Sequence, residues 1–389
     1  MLTIEQAEII KATVPLLETG GEVLTTHFYK IMLDEHPESR PLFNQAHQQL
    51  GTQPRALANA VLQYARHIDN LDALGQLPAQ IIQKHVSLQV QPEHYPMVGS
   101  CLLRAIREVL GKEIATDAVI EAWGAAYWQL ANILMGAEGE QYDQIESAPG
   151  GWRGARKFFV IEKRAESPEI TSFVLAPVDG GAVLNFRSGQ YLGLKLLVDG
   201  QEVRRNYSLS KKADGSTLQI SVKREHKGVV SNYLHDQLEV KAVLDVFPPA
   251  GEFVLQPSAA PLVLISGGVG ITPTLAMAET ALEQGDRDVT FIHYARNPEV
   301  QAFRGILDTW ARKYPRFKLF LVYENGATKD LASGRPNLEQ IQRWVPPNAE
   351  AYFLGPKPFM QCINKALAEH GFPVERRHFE FFGPAEELN

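Results

Sequence analysis

The hydrophobic repeat changes twice along this chain, and those two changes divide it into three stretches that must fold differently. From Thr3 to about Ala148, apolar residues recur at three- and four-residue spacing, as in Ile4-Ala7-Ile10 and Leu24-Phe28-Ile31, which is the helical repeat. Pro15, Gly20-Gly21, Pro37, Pro41, Pro54, Pro78, Pro92 and Pro96 punctuate the stretch, so several helices are expected. Thr3-Ile4-Glu5-Gln6 has the form of a capping box. Ala122 to Ala137, apolar on most faces, reads as a buried helix, and Ser147 to Gly151 as a linker.

From Trp152 to about Pro257 the repeat falls to two residues. Phe158-Phe159-Val160-Ile161, Ile170 to Leu175, Tyr191 to Val198 and Leu218 to Val222 read as strands, with a hairpin turn at Asp199-Gly200. Short strands so spaced predict a small antiparallel barrel. From Pro261 onward, apolar runs at Leu262 to Ile265, Val289 to Ile292, Phe317 to Val322 and Ala351 to Leu354 alternate with helical segments. Those segments are Thr274 to Gln284, Glu299 to Lys313, Pro336 to Trp344 and Phe359 to Glu369. Such alternation predicts a doubly wound parallel sheet. The expected organisation is all-α over residues 1–148, all-β over 152–257 and α/β over 261–389.

The bulk numbers agree and exclude several function classes. At 389 residues the chain is too long for one ordinary core. Its 45% apolar and 21% charged content is that of a soluble globular protein. A net charge of −7 with no Lys/Arg run argues against nucleic-acid binding. With only Cys101 and Cys362, neither a disulfide framework nor a thiolate-held cluster is expected, and a reducing cytoplasm fits. No signal-peptide layout opens the chain, and the longest uncharged stretch, Phe253 to Ala278, is too broken by proline and glycine for a membrane span.

Six of the eleven histidines lie in the helical third. His36 precedes Pro37, His47 sits among glutamines and His94 lies in a proline-flanked loop, whereas His85 shares a helical face with Ile82 and Val86, with Ile81 and Leu88 nearby. A lone histidine of that kind is most often a satisfied core residue. It is also what iron in an apolar slot requires, one neutral imidazole projecting from a helix. Tyr29, on an apolar helix, needs a buried partner or a route to the surface, and Gln53 sits at a helix start, where a solvated side chain is the plain reading.

Together these segments resemble the flavohaemoglobins, and the resemblance covers essentially the whole chain. It is carried by Leu42-Phe43, Gln53-x-x-x-Leu57, Lys84-His85-Val86-Ser87-Leu88 and Glu93-His94-Tyr95. It implies a globin domain holding haem b, with His85 as the iron ligand, Phe43 packing the haem, and Tyr29, Gln53 and Leu57 in the distal pocket. Tyr95 and Glu138 match the pair that hydrogen-bonds the far side of the proximal imidazole and pushes electron density onto iron. Read alone, both would pass for surface residues. Lys84 and Glu380 match positions held to tune the two redox centres.

Arg205-Asn206-Tyr207-Ser208 at a strand end supplies a cation, an aromatic ring and a hydroxyl in one turn of extended chain. A flavin needs those three for its pyrophosphate, its ring face and its N5 edge, although an exposed strand end could look the same. The motif resembles the Arg-x-Tyr-Ser signature of ferredoxin-reductase-like barrels that bind FAD, and Gly189-Gln190-Tyr191 matches their second flavin contact. Gly228-Val229-Val230-Ser231 opens a helix whose amides are available to a pyrophosphate. In the last third, Gly267-Gly268-Val269-Gly270-Ile271-Thr272-Pro273 follows an apolar strand and precedes a helix, so the backbone can approach a phosphate. It is not the G-x-G-x-x-G pattern, but it resembles the glycine turn of flavin reductases with an α/β NAD-binding domain. The closing Phe379-Glu380-Phe381-Phe382-Gly383-Pro384 resembles the family segment that lays an aromatic residue over the flavin. The chain departs from many relatives in having Leu354-Gly355-Pro356 where they carry Cys-Gly-Pro, and Cys362 does not replace that thiol.

The resemblance therefore implies a nitric oxide dioxygenase. NAD(P)H would reduce FAD, the flavin would pass electrons singly to haem, and nitric oxide and O2 would become nitrate. Tyr29 would donate a hydrogen bond to the bound oxygen, with Gln53 assisting. The chain is expected to work as a cytoplasmic monomer with no nucleic-acid partner and no integral membrane segment. A haem-based sensor or carrier and a flavin reductase for iron or peroxide are the rival classes. The absence of a signalling module argues against a sensor, and an anionic proximal histidine against a carrier. Arg296, just after His293-Tyr294-Ala295, could meet a 2′-phosphate or be a solvated loop residue, and NADH is the expected donor.

Overall fold

The computed structural model describes residues 2–43, 48, 51–326, 332–383 and 388. The chain forms two compact units, Met1–Ser147 with Gln201–Arg204, and Ala148–Gly200 with Arg205–Asn389.

The first unit is helical: α1 Ile4–Ala12, α2 Val14–Glu35, α3 Thr52–Arg66, α4 Leu77–Leu88, α5 His94–Leu110 and α6 Asp117–Ser147. Thr3 does close a capping box on α1, its Oγ1 accepting from Gln6 N at 3.1 Å while Thr3 N donates to Gln6 Oε1 at 3.0 Å. Ile10, Leu24, Phe28, Met32, Ala105 and Trp123 lie in the core, where helical faces of three- and four-residue spacing meet. Helix α6 runs to Ser147, beyond the expected Ala122–Ala137, because its last turns bury only Glu138 and Tyr142 and carry little apolar signal.

After the helices, β1 Arg156–Ala165, β2 Ile170–Pro177, β3 Tyr191–Val198, β4 Gln201–Ser208, β5 Leu218–Lys223 and β6 Val243–Val246 form a sheet in the order β4-β3-β6-β1-β2-β5, all of it in the second unit but the first half of β4. Leu209, just past β4, bridges antiparallel to Ile220 of β5, which joins the sheet's two edges as a barrel requires. Asp199 and Gly200 both take positive φ, +50° and +77°, in the β3–β4 turn. Strand β6 escapes sequence reading because four residues are too few to display alternation.

A second sheet follows, with β7 Leu262–Gly267, β8 Val289–Ala295, β9 Phe317–Tyr323, β10 Ala332–Ser333, β11 Glu350–Leu354 and β12 Arg377–Phe379, in the order β10-β9-β8-β7-β11-β12. Every neighbouring pair is parallel. After α7 Val229–Asp236 in the barrel region come α8 Ile271–Gln284, α9 Arg304–Lys313, α10 Leu338–Trp344 and α11 Lys357–Glu369. One core, with Leu264, Phe291 and Leu275, covers one face of the sheet, and another, with Ile265, Ile292 and Met360, covers the other. The sheet is doubly wound, and its strand order reverses at β7. Helix α9 starts at Arg304 rather than Glu299, because Asn297 Oδ1 accepts from the amides of Glu299 and Val300 and Phe303 turns left-handed at φ +62°. Among the described residues no helix is long and apolar enough to cross a membrane.

Candidate functional site

In the helical unit His85 lies in the last turn of α4, half-buried, and its Nδ1 meets Glu138 Oε1 at 2.6 Å and Tyr95 Oη at 3.2 Å. Tyr95 in turn donates to the same Glu138 oxygen at 2.7 Å. Glu138 and Tyr95 are 2% and 6% exposed, so this carboxylate is an interior one and not the surface residue its local sequence suggests. Burial, and then the bond to Glu138, push the Tyr95 phenol well above its ordinary range, which keeps it a donor. With Nδ1–H donating to Glu138, the imidazole lone pair resides on Nε2, the nitrogen a metal would use.

Two tyrosines brace this arrangement, and sequence reasoning missed both. Tyr127 donates to the Tyr95 carbonyl at 2.6 Å, and its ring lies where a side chain on Gly99 would collide, 2.5 Å from a Cβ. Tyr142 donates to the Val90 carbonyl at 2.8 Å, fixing the turn after α4. The signal was present: Tyr127, Ala131, Leu134, Glu138 and Tyr142 recur at spacings of four, three, four and four, one face of α6.

On α2, Tyr29 is 7% exposed and packs edge-on against Phe28 and Phe43, with ring centroids 4.9 and 5.5 Å away. Burial raises its pKa, and a hydrogen bond from Gln53 at the start of α3 partly opposes that rise. Phe43 and Leu57 are half-buried beside the Tyr29 cluster, while Ile81 and Ile82 are half-buried beside the Tyr95 cluster. Tyr127 and Leu130 border both clusters. An imidazole whose Nε2 takes no hydrogen bond among the described residues, a buried phenol and half-covered apolar side chains suit a flat, largely apolar macrocycle with a metal at its centre. Lys84 is exposed next to His85.

In the barrel, Arg205, Asn206 and Tyr207 are half-buried along β4 and Ser208 is buried. Burial lowers the pKa of Arg205 and raises that of Tyr207. A partly desolvated guanidinium suits an anionic pyrophosphate. Tyr191 is half-buried at the start of β3, packed so closely on Gly251 that a Cβ there would come within 2.8 Å of its ring. A Cβ on Gly189 would meet the Phe253 carbonyl oxygen at 2.0 Å. Gly228 caps α7, which begins at Val229.

Gly267, Gly268, Val269 and Gly270 make a tight turn between β7 and α8, at the carboxyl edge where the strand order reverses. A Cβ on Gly270 would lie 2.2 Å from the Leu354 carbonyl oxygen, so glycine there serves close packing of the turn on β11. Gly268 takes φ +56° with nothing within 4 Å of a Cβ, which leaves its backbone open to a ligand phosphate. Ile271, Thr272 and Pro273 are buried in the first turn of α8. Leu354 is fully buried, and Cys362 lies exposed on α11. Phe381, Gly383 and Glu380 are half-buried beyond β12 and Phe382 is exposed; Pro384, like His47, lies outside the described residues.

Beside this turn, His293 of β8 is 2% exposed, and its Nδ1 meets Ser266 Oγ at 2.8 Å. Burial pushes its pKa down to about 4. The unfolded chain, with an ordinary histidine pKa of about 6.5, binds that proton first. Stability is therefore unaffected above ~pH 6.5 and falls as pH drops towards 4, by up to about 3 kcal/mol. Urea denaturation from pH 7 to 4.5 should show that slope, flattened in His293→Asn. Equal slopes in the two proteins would exclude this histidine as the cause.

Three family models match the chain: Globin over residues 26–134, Oxidoreductase FAD-binding domain over 157–255 and Oxidoreductase NAD-binding domain over 264–365. The flavohemoproteins of Pseudomonas putida and Pseudomonas aeruginosa are 60% and 57% identical, each over the full length of both chains. The chain belongs to the flavohemoprotein family. The crystal structure of a Malassezia yamatoensis flavohemoglobin, with bound FAD and haem, superposes with a TM-score of 0.87 at 28% identity, covering 98% of this chain and 100% of that one. The FAD/NAD-binding domain of a nitric oxide dioxygenase from Vibrio cholerae matches 60% of this chain and all of its own, at 35% identity and a TM-score of 0.57. Haem, FAD and a nicotinamide dinucleotide are thus the cofactors of this fold, and the residues present fit each of them.

Proposed function

We propose that this flavohemoprotein is a nitric oxide dioxygenase that detoxifies nitric oxide in the cytoplasm, converting it with O2 to nitrate at the expense of NAD(P)H. The observation that carries the reading is the 2.6 Å bond between His85 Nδ1 and the buried Glu138 carboxylate. Haem supplies the iron at which oxygen is activated, and FAD divides the hydride's two electrons into single ones. The chain's own residues set the rest. Glu138 accepts a hydrogen bond from Nδ1–H, fixing the tautomer and strengthening Nε2 as a donor, an arrangement suited to activating oxygen rather than carrying it. Tyr95 holds the carboxylate in that position. Across the pocket, Gln53 donates to the Tyr29 oxygen, which leaves the phenolic hydrogen to point at a ligand. Tyr207 and Ser208 would meet the flavin ring and Arg205 its pyrophosphate, a reading supported by their shared strand and partial burial. Lys84 and Glu380 would tune the two centres by their charge.

The test is direct. Purified protein given NADH, O2 and nitric oxide should yield one nitrate per nitric oxide consumed, and no nitrate would end the reading. Tyr29→Phe should retain haem but release oxygen faster by about tenfold, since a hydrogen bond in a dry pocket contributes roughly 1–3 kcal/mol. An unchanged oxygen dissociation rate would remove Tyr29 from the distal site.

A further inference from the structure

In a doubly wound sheet, the residue just after the second strand lies beside the adenosine ribose of a bound dinucleotide, where a carboxylate accepts from the 2′-hydroxyl and an arginine accommodates a 2′-phosphate. Here the first strand is β7, the second is β8, and the residue that follows is Arg296. Its backbone is anchored, the Arg296 carbonyl accepting from Asn325 N at 2.8 Å. By sequence alone this arginine could meet a 2′-phosphate or be a solvated loop residue, and NADH is the expected donor.

The structure places a second group against it. The Arg296 guanidinium is ion-paired and hydrogen-bonded to Glu169, which comes from the β1–β2 hairpin of the barrel. Glu169 is half-buried and held from several sides: its carbonyl accepts from Arg224 N at 2.7 Å, and its own amide donates to Ser167 Oγ at 3.3 Å. The neighbouring cation, Arg224, is occupied by two bonds to Asp236 at 2.6 and 2.9 Å. On the strand end itself, Asn297 is turned back onto the amides of Glu299 and Val300. The carboxylate that this edge lacks in local sequence is therefore delivered by another domain.

We infer that the Glu169–Arg296 pair sets the dinucleotide preference of this enzyme, with Glu169 as the determinant that admits NADH and rejects NADPH. The inference rests on the dinucleotide reading of this edge. Glu169 does two things at once: it occupies the guanidinium that a 2′-phosphate would need, and it sets a negative charge where that phosphate would lie. A ribose 2′-hydroxyl meets neither penalty and can donate to the carboxylate.

The test uses the holoenzyme with ferricyanide as electron acceptor, comparing kcat/KM for NADH and for NADPH in wild type, Glu169→Gln, Arg296→Ala and the double variant. Wild type should prefer NADH. Glu169→Gln should raise kcat/KM for NADPH by about tenfold or more, the value of one released charge-assisted contact, and kcat/KM for NADH should not rise with it, so that the NADPH-to-NADH ratio moves by at least that factor. Arg296→Ala alone should lower NADPH use further, because it leaves an uncompensated carboxylate. The double variant should lose the gain made by Glu169→Gln. Retained FAD absorbance in each variant shows that the fold is intact. An unchanged NADPH-to-NADH ratio in Glu169→Gln, a gain that survives in the double variant, or a wild type that prefers NADPH would each overturn the inference. If neither dinucleotide reduced the flavin of the wild type, the dinucleotide reading itself would fall, and the inference with it.

Discussion

Replacing His85 with alanine should abolish tight haem binding and leave the flavin in place. Removing a residue that merely supports a metal ligand costs on the order of 10–100-fold in metal affinity, and His85 is the residue such support converges on. Glu138 at 2.6 Å, Tyr95 at 3.2 Å, and behind them Tyr127 and Tyr142 all fix this one imidazole or the turn around it. The neighbouring histidines are engaged otherwise: His27 with Glu108 at 2.6 Å, His36 with Glu38 at 3.1 Å, and His94 through Nδ1 with the Gln91 amide at 2.9 Å. Absorption spectra of the purified variant separate the outcomes, because the Soret band should vanish while the flavin bands persist. Added imidazole should restore part of the Soret band by filling the space left by the side chain. A normal five-coordinate haem spectrum in the variant without imidazole would show that another residue holds the iron.

Gly270→Ala should be the most damaging single-methyl change in the α/β region. Gly270 has φ −59°, which any residue adopts, so the cost is not conformational. The added Cβ would stand 2.2 Å from the Leu354 carbonyl oxygen, 2.6 Å from its carbon and 3.0 Å from Gly355 N. All three are backbone atoms of β11 and its exit, and none can swing aside as a side-chain tip can. Overpacking of this kind costs typically 1–3 kcal/mol and more where backbone must move. The displaced element is the turn that should receive the dinucleotide, so reduction of the flavin by NADH should fall much further than stability does. Gly268→Ala provides the contrast, since its Cβ meets nothing and only the φ of +56° is unfavourable, at roughly 1–2 kcal/mol. Thermal unfolding and stopped-flow flavin reduction on both variants would decide the matter. Wild-type behaviour of Gly270→Ala would show that the turn is not held against β11 in the way the structure describes.

What could be read in the sequence was whatever repeats locally. The change from a helical to a two-residue repeat near Trp152, and to alternation after Pro261, announced the all-α, barrel and doubly wound architectures. The glycine turn at 267–270 was legible because a strand, three glycines and a helix start are contiguous. Arg205-Asn206-Tyr207-Ser208 was legible because one extended segment holds all four side chains. Strands β6, β10 and β12 were not, since two to four residues cannot display a period.

The tertiary structure alone decided the pairings. Glu138 lies 53 residues from His85, and nothing near it in sequence says that its carboxylate is buried against an imidazole rather than dissolved in water. That follows from the crossing of α6 over α4, which brings one face of each helix together. Glu169 and Arg296 lie 127 residues apart, on different domains of one unit, and read singly as two solvated charges. Local spacing determines which elements form, because secondary structure depends on neighbours in the chain. Which charges meet depends on how those elements pack, and there the decisive energies, desolvation and short-range hydrogen bonding, arise only once distant segments exclude water together.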